Sequence, residues 1–357
     1  MEDSKDVTIY DIALRCNLAT STISRALNNH RSISNQTIKK VKKVAEEMGF
    51  RPNTLAAGLR GNQTKIIGVL VTRINRPFLS SLISGIEETA QKAGYSVMIT
   101  QSHDSYEDEV KLSKVLYDTR VCGMICSLAM HTRDTSHFQK FIDKKIPLVF
   151  VDRVPKDFNT YRVMIDNYSA GYKATKHLIE QGCKRIAHIT GSKYRNTYSE
   201  RKRGYEDALL EHNLSIDENL IIVDTTLTFE EGEIAANCLF DMQNPPDGIF
   251  VANDTAAVGV IQVAKKRGLK IPHDIAIIGF NDDPIASIID PPLTTISHPA
   301  VKMGQTSAKK ILNHLKSLKK NPNSSKIDDI TEVTFLNTEV LIRESSNKKK
   351  FDNFFTL

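Results

Sequence analysis

The chain has 357 residues, of which 40% are hydrophobic and 25% are charged, and its formal net charge is +6. This length is enough for two or three domains, and the composition is that of an ordinary folded protein. No apolar run approaches the roughly 20 residues of a membrane helix, and the N-terminus lacks the apolar stretch of a secretory signal. We therefore expect a cytoplasmic protein that makes no membrane contact.

The positive charge is concentrated near the N-terminus. Between Val7 and Gly61 there are nine basic and three acidic residues, so this segment alone carries +6 and the rest of the chain sums to zero. A basic module attached to a neutral domain indicates a polyanionic partner.

Sequence patterns that would indicate catalysis or metal binding are absent. The five cysteines form no Cys-x-x-Cys pair, and the ten histidines form no His-x-x-x-His pair. There is also no Gly-rich phosphate loop and no Gly-x-Ser-x-Gly elbow. We predict that the chain is not an enzyme and that it has neither a cofactor nor a metal site.

The first segment of the chain has the pattern of three short helices. Thr8-x-x-Asp11 resembles a capping box, Asn17 can take the left-handed geometry that ends a helix, and Ser34 can cap a third helix. Two helices joined by a turn of about four residues, with a third helix as a brace, form a helix-turn-helix.

The second helix, TSTISRALN at 20–28, has an apolar face and a polar face. Its apolar face is formed by Ile23, Ala26 and Leu27. A helix-turn-helix places the N-terminal residues of its second helix at base edges in the major groove. Small hydroxyls can pair with donors or acceptors there, and the fork of Arg25 suits guanine. The alternative is an ordinary helix whose polar face is merely solvated.

The stretch RPNTLAAGLRGNQ, residues 51–63, predicts a weak helix. Pro52 stops the preceding element, and Asn53 can cap a short helix that contains Gly58. Short isolated helices are unstable in water, and an internal glycine makes this one weaker still.

From Lys65 onward the pattern alternates between strands and helices. The strand candidates are near-continuous apolar runs, which are typical of parallel strands covered on both faces. They are KIIGVLV, YSVMITQ, VCGMICSL, IPLVFVD, YRVMID, RIAHITG, LIIVD, DGIFVAND and DIAIIGFND, and the intervening helical stretches include 80–93, 107–118, 169–181, 200–212, 230–242 and 255–267. This pattern predicts a doubly wound α/β fold. Because there are too many strands for one compact sheet, we expect two similar lobes.

Polar residues follow several of these strands, where ligands bind in open parallel sheets. Asp152 follows PLVFV, Asn253 and Asp254 follow GIFVA, and Asn281 follows AIIGF. Asp254 has an alternative role as the cap of the helix at 255–267. Arg201, at the start of the helix RKRGYEDALL, has the alternative of being a surface charge.

Several separated motifs between Val7 and about Arg343 share their order with one known family. VTIYDIALRCNLATSTISRALNNHRSIS, GFRPNTLAAGLRG, VANDTAAVGV, IIGFNDDP and PPLTTISHP closely resemble the lactose and purine repressor family of bacterial transcription regulators. The resemblance implies an N-terminal all-α helix-turn-helix headpiece, a hinge helix, and an α/β two-lobed core like the periplasmic binding proteins. It gives a headpiece at 1–51, a hinge at 52–63, a core at 64–345 and a basic, aromatic tail at 346–357. Within the core, the first lobe takes about 64–164 and 296–327, and the second lobe takes about 165–292 and 328–345.

The resemblance also implies which headpiece residues contact DNA. Leu59 of the hinge helix corresponds to the wedge that enters the minor groove. The family usually has serine where this chain has Ala19, so Thr20 is a candidate for the missing helix cap. The implied base readers are Thr20, Ser21 and Arg25, the residues near the phosphates are Thr8, Thr22, Ser24, Asn28 and Thr37, and the hinge contributes Asn53 and Leu59.

For the core, the resemblance implies a small-molecule effector, most commonly a carbohydrate, that controls affinity for a near-palindromic DNA operator bound by a homodimer. It places Arg201, Asn253 and Asn281 on effector-contacting positions, with Phe78 and Asp152 near them. A competing interpretation is a sugar-binding component of a transport system, which would share the two lobes. That protein would need an export signal and would have no use for a basic helical module.

Overall fold

The computed structural model describes residues 7–50, 64–155, 158–192, 194–223, 226–320 and 332–348. The chain divides into two compact units, which comprise residues 1–64 and 65–357. The predicted hinge helix at 52–63 and most of the tail at 346–357 lie outside the described residues.

The first unit is the predicted helix-turn-helix. Its helices are α1 (Ile9–Cys16), α2 (Thr20–Leu27) and α3 (Asn35–Glu47). They enclose a small core in which Ile12 and Ile23 are fully buried.

The helix ends of this unit follow the predicted capping chemistry. The Asp11 carboxylate accepts hydrogen bonds from the Thr8 backbone N–H, at 2.7 Å, and from the Thr8 hydroxyl. Asn17 has the left-handed φ of 54° that ends α1, and Ser34 Oγ accepts from the Thr37 N–H at 3.2 Å. Local sequence therefore determines where α1 and α3 begin and where α1 ends.

The second unit contains two six-stranded sheets among the described residues. The first sheet is wholly parallel, with strand order β11-β5-β4-β3-β1-β2. Its strands are β1 (Ile66–Val71), β2 (Ser96–Gln101), β3 (Gly123–Cys126), β4 (Leu148–Val151), β5 (Tyr161–Ile165) and β11 (Glu332–Leu336).

The second sheet has the order β12-β10-β9-β8-β6-β7 and is parallel except for the antiparallel pair β10–β12. Its strands are β6 (Ile186–Thr190), β7 (Ile221–Val223), β8 (Gly248–Val251), β9 (Ala276–Asn281), β10 (Thr294–Ser297) and β12 (Val340–Leu341). All nine strands predicted from apolar runs are present, and the two-lobed interpretation is confirmed.

Helices lie between the strands, as a doubly wound fold requires. They are α4 (Pro77–Lys92), α5 (Tyr106–Asp118), α6 (Gln139–Asp143), α7 (Asn167–Glu180), α8 (Asn196–Glu211), α9 (Phe229–Phe240), α10 (Asp254–Lys266), α11 (Ile285–Ile288) and α12 (Ala300–Lys320). The six predicted helices all begin one to four residues earlier than predicted.

The predicted lobe boundaries near the C-terminus are wrong. Residues 328–345 were expected in the second lobe; β12 does belong to the second sheet, but β11 pairs with β5 of the first sheet. Ile296 and Ser297 were expected in the first lobe, but they lie on β10, which pairs with β9 of the second sheet. These strands are short, and β11 is an exposed edge strand. Tertiary contacts determine which sheet β11 joins, and the local sequence does not indicate them.

No helix among the described residues is both long enough and apolar enough to cross a bilayer.

Candidate DNA-reading surface and ligand pocket

Helix α2 presents one exposed polar face. Ile23 and Ala26 are buried against the other helices, while Thr20, Ser21 and Arg25 are exposed. The hydroxyls and the guanidinium needed for base reading are therefore available on the outer side of the helix.

Ala19 leaves the start of α2 without a side-chain cap. Ala19 is the N-cap of α2, with extended φ and ψ of −62° and 144°, and it supplies no side-chain hydrogen bond. Thr20 is the first residue of the helix and does not take over the cap. Its hydroxyl has no hydrogen-bond partner in the described part of the chain, so Thr20 remains available to a ligand.

The side chains expected near phosphates make more hydrogen bonds within the protein, or are more buried, than the side chains expected to read bases. The Thr8 hydroxyl donates to Asp11, and the Thr37 hydroxyl shares a 2.9 Å hydrogen bond with Ser34. Asn28 Nδ2 donates to the Ser24 carbonyl at 2.8 Å. Thr22 and Ser24 are half-buried. Asn53 and Leu59 lie outside the described residues.

A pocket lies between the two lobes of the second unit, and all five residues predicted for effector binding line it: Phe78, Asp152, Arg201, Asn253 and Asn281. Asp152 follows β4, Asn253 follows β8, and Asn281 ends β9. The rule that ligands bind at the carboxyl ends of parallel strands accounts for their convergence. The empty volume of the pocket is about 720 Å³, which includes open solvent at its mouth.

Arg201 is a buried cation in the wall of this pocket, not a surface charge. Its Nε donates to Asn167 Oδ1 at 2.9 Å, and its Nη1 donates to the Ala252 carbonyl at 3.0 Å. Its guanidinium carbon lies 3.4 Å from the centre of the Phe280 ring. Burial lowers the pKa of Arg201 to about 10, which still leaves it charged at neutral pH.

Close packing of α7 against α8 fixes the position of Arg201. A Cβ on Gly171 would overlap the Arg201 carbonyl oxygen, and a Cβ on Gly204 would overlap the Tyr168 carbonyl oxygen. Each helix therefore needs a glycine where the other passes, and larger side chains there would displace the arginine.

Asn253 and Asp254 have different roles at the start of α10. Asn253 is the N-cap of α10, because its Oδ1 accepts from the Ala256 N–H at 2.8 Å. Its Nδ2 donates to the Leu227 carbonyl at 2.9 Å. Asp254 is fully buried and accepts from the Asp283 N–H and the Thr295 hydroxyl, both at 2.7 Å. The prediction that Asp254 caps this helix is wrong.

Asn281 and Phe78 both contact His298, a pocket residue that was not predicted from the sequence. Asn281 Oδ1 lies 3.2 Å from His298 Nδ1, and the Phe78 ring stacks on the His298 ring at 4.1 Å between centroids. His298 lies 3.9 Å from Asp152, measured from Nε2 to Oδ1. Asp152 is in the left-handed region, with φ of 60°, and burial raises the pKa of its carboxyl while Arg153 and Arg201 oppose that rise.

Other pocket residues were missed because their partners lie far away in the sequence. Arg153 forms a 2.9 Å ion pair with Asp104 and donates to the Tyr198 hydroxyl at 3.2 Å. Tyr198 lies on the second lobe and Arg153 on the first. The only available signal was the position of Arg153 next to Asp152.

Two basic side chains of α8 form ion pairs with acidic residues of the same helix. Lys202 pairs with Glu206 at 2.6 Å, and Arg203 pairs with Glu200 at 2.5 Å. Leu227 is buried in the core of the second lobe. Neither Lys202 nor Arg203 lines the pocket.

Comparison with known proteins identifies the family. Residues 8–53 match the bacterial regulatory proteins of the lacI family, and residues 175–346 match a periplasmic binding protein-like domain. The HTH-type transcriptional regulator DegA of Bacillus subtilis is 35% identical over 302 residues, which cover 83% of this chain and 88% of DegA. The HTH-type transcriptional repressor PurR of Vibrio atlanticus is 32% identical, covering 87% and 92%.

Among solved structures, a complex of the transcriptional regulator CelR with cellobiose superposes with a TM-score of 0.70 at 26% identity, covering 95% of this chain and 99% of that one. A helix-turn-helix joined to a two-lobed ligand-binding core defines an effector-controlled DNA-binding protein. The chain belongs to the lacI family and is a DNA-binding transcriptional repressor that responds to a small-molecule effector.

Proposed function

We propose that the effector of this repressor is a neutral carbohydrate or carbohydrate derivative, bound in the pocket between the lobes by Phe78, Asp152, Arg201, Asn253 and Asn281. The observation that carries this proposal is the balance of polar groups and charge around the pocket. Hydroxyl, amide, carboxylate and guanidinium groups line its wall, together with the apolar ring of Phe78. Sugars carry both donors and acceptors as well as apolar faces.

Charge compensation within the pocket favours a neutral ligand over a phosphate. Three of the four arginines in its lining, all except Arg73, have an aspartate nearby. Arg153 is paired with Asp104, and Arg201 faces Asp152. The positive charge of Arg76 lowers the pKa of the Asp283 carboxyl, against burial, which raises it. An anionic effector would have to compete with these aspartates.

On the DNA side, we propose that Thr20, Ser21 and Arg25 read base edges, while Thr8, Thr22, Ser24, Asn28 and Thr37 lie near phosphates. The exposed face of α2 supports the first assignment, and the position of the other residues at the flanks of α2 and at the helix starts supports the second. Asn53 and Leu59 are assigned to the hinge by family resemblance alone. The protein acts in the cytoplasm, where its operator DNA is.

We further propose that the protein binds a near-palindromic operator as a homodimer. Strand β2 is an edge of the first sheet, and a shallow groove beside it is lined by Ile74, Ile83 and Ile99. Ile74 is 49% exposed and Ile99 is 45% exposed. Apolar side chains grouped along an exposed edge strand are typical of an interface. Ile99→Glu should give monomers in sedimentation, whereas Val115→Glu, an equally exposed site on α5, should not.

The effector proposal is tested by a thermal-shift screen of sugars, sugar phosphates and nucleobases, followed by calorimetry. A ligand that binds only the native state raises the melting temperature. A neutral sugar should bind both the full chain and residues 63–357. Arg201→Met should abolish binding, and Arg203→Met, two residues along α8 and outside the pocket, should not. If only phosphates or nucleobases bind, the carbohydrate proposal is wrong. If residues 63–357 fail to bind the ligand of the full chain, the assignment of the lobes is wrong.

A further inference from the structure

Two buried acceptor atoms face each other in the pocket wall without a hydrogen-bond partner among the described residues. They are Asp152 Oδ1 and His298 Nε2, which lie 3.9 Å apart. The side chain of His298 is 1% exposed and that of Asp152 is 11% exposed. Buried polar atoms in native proteins almost always have partners, so this pair points to a ligand that supplies them.

The contact with Asn281 determines which nitrogen of His298 carries the proton. Asn281 Oδ1 lies 3.2 Å from His298 Nδ1. An amide oxygen only accepts, so His298 must donate from Nδ1. In the neutral ring, Nε2 is then an unprotonated acceptor.

The surroundings of His298 keep its ring neutral. The groups that face it are the Asp152 carboxylate, the Arg201 guanidinium, the Asn281 amide and the rings of Phe78 and Phe280. Burial, together with the charge of Arg201, holds the pKa of His298 well below its usual value. The ring therefore offers Nε2 as an acceptor throughout the neutral pH range.

We propose that His298 is a specificity-determining residue of the effector pocket, which reads with Asp152 two adjacent hydroxyl groups of the ligand. One hydroxyl has one hydrogen and can donate to only one of the two acceptors. A vicinal diol can donate one hydrogen to His298 Nε2 and the other to Asp152 Oδ1. This inference rests on the proposed function, because it describes how the same pocket selects its ligand.

Asn281 acts as a positioning residue, because it determines which ring nitrogen of His298 donates a hydrogen bond and which one accepts. An aspartate at this position would place a carboxylate against Nδ1 and favour the doubly protonated ring. Nε2 would then become a donor and would interact with the Asp152 carboxylate. Neither atom would then be left for the hydroxyl groups of the ligand. Asn281→Asp should therefore weaken diol binding even though the change is nearly isosteric.

The tautomer is tested without any ligand, by ¹⁵N NMR of the histidine rings in the full chain. We expect a neutral His298 with its proton on Nδ1 between pH 6 and 8, and a doubly protonated ring in Asn281→Asp at pH 6. The His298→Phe spectrum identifies the signal. A proton on Nε2 in the unchanged chain, or an imidazolium at pH 7, overturns the proposal.

Diol reading is tested by calorimetry on the full chain with matched probe pairs. The pairs are D-ribose with 2-deoxy-D-ribose, D-glucose with 2-deoxy-D-glucose, and adenosine with 2′-deoxyadenosine; cellobiose is added as a larger sugar. For the diol that binds, the deoxy partner should bind at least tenfold more weakly. His298→Phe, which keeps a ring to stack on Phe78, should remove this difference, and His298→Gln should restore part of it through its side-chain oxygen.

The outcomes separate the two proposals. If adenosine binds with the expected deoxy penalty while no free sugar binds, diol reading holds, and the effector is a nucleoside and not the neutral sugar that the thermal-shift screen is expected to find. If a sugar binds but His298→Phe leaves the deoxy penalty unchanged, the role of His298 is wrong while the carbohydrate proposal stands. If no diol-bearing probe binds, diol reading is overturned.

Discussion

Arg153 of the first lobe donates a hydrogen bond from Nη2 to the Tyr198 hydroxyl of the second lobe, over 3.2 Å. Two further guanidinium groups make the same kind of connection: Arg76 donates to the Thr226 carbonyl at 3.0 Å, and Arg195 donates to the Thr132 carbonyl. The ligand pocket lies between the lobes that these bonds join. A ligand that favours one angle between the lobes must therefore change the strength of these contacts.

The first prediction concerns this connection. Tyr198→Phe should lower the free energy of unfolding by about 1–3 kcal/mol, because it leaves a buried N–H of Arg153 without its acceptor. Urea unfolding of the full chain measures the loss. Tyr194→Phe serves as the control, since Tyr194 is 52% exposed. Equal stability of the two variants would show that the bond between Arg153 and Tyr198 contributes nothing.

The second prediction concerns base reading. Arg25→Ala should cost about 1–3 kcal/mol of binding free energy on the operator and relax selectivity at the contacted base pair. Arg31→Ala, an exposed arginine outside α2, should weaken binding to all sequences alike. Fluorescence anisotropy on the operator, its single-base variants and random DNA separates these cases. Equal losses on operator and random DNA for Arg25→Ala would remove Arg25 from base reading.

The third prediction concerns the start of α2. Because Ala19 is an N-cap without a side-chain hydrogen bond, Ala19→Ser should stabilise the helix-turn-helix unit by about 0.5–2 kcal/mol. Thr20→Ala should leave that stability nearly unchanged, because Thr20 does not cap the helix. Calorimetric unfolding of residues 1–64 checks both changes. A large loss in Thr20→Ala would mean that its hydroxyl acts as a cap after all.

The fourth prediction concerns pH. Burial raises the pKa of Asp283 to about 6, above its ordinary value of 3.8. The native state therefore holds this proton more tightly than the unfolded chain does. As pH rises from about 4 to about 6, the contribution of Asp283 lowers stability, and above pH 6 its effect is constant.

The neutral variant Asp283→Asn tests this pH effect. Relative to the unchanged chain, its stability should increase between pH 4.5 and pH 7, as measured by urea unfolding at both values. Asp290→Asn, at an exposed aspartate, is the control and should show no such trend. A stability difference that is independent of pH for Asp283→Asn would contradict the raised pKa.

Most of the fold could be predicted because its signals are local. Continuous apolar runs mark β1 and β9, and capping residues such as Ser34 mark helix starts. The site residues Asp152, Asn253 and Asn281 could be predicted because the ends of parallel strands meet at one edge. This rule needs only the strands and their direction.

The features that could not be predicted depend on contacts between segments that are distant in the sequence. Strand β11 is an exposed edge strand, and its pairing with β5 joins residues more than 160 positions apart. His298 follows the short strand β10, and its significance appears only beside Asp152 and Asn281. The connection between Arg153 and Tyr198 exists only once both lobes are folded.

We expect a ligand in the core pocket to control the binding of operator DNA. The most direct test is an anisotropy titration of the full chain on the operator, with and without the ligand found by thermal shift. We expect at least a tenfold change in the Kd for DNA, equivalent to about 1.4 kcal/mol of coupling, and no change in Arg201→Met. If a ligand binds the unchanged chain but leaves its Kd for DNA the same, the core pocket does not control DNA binding.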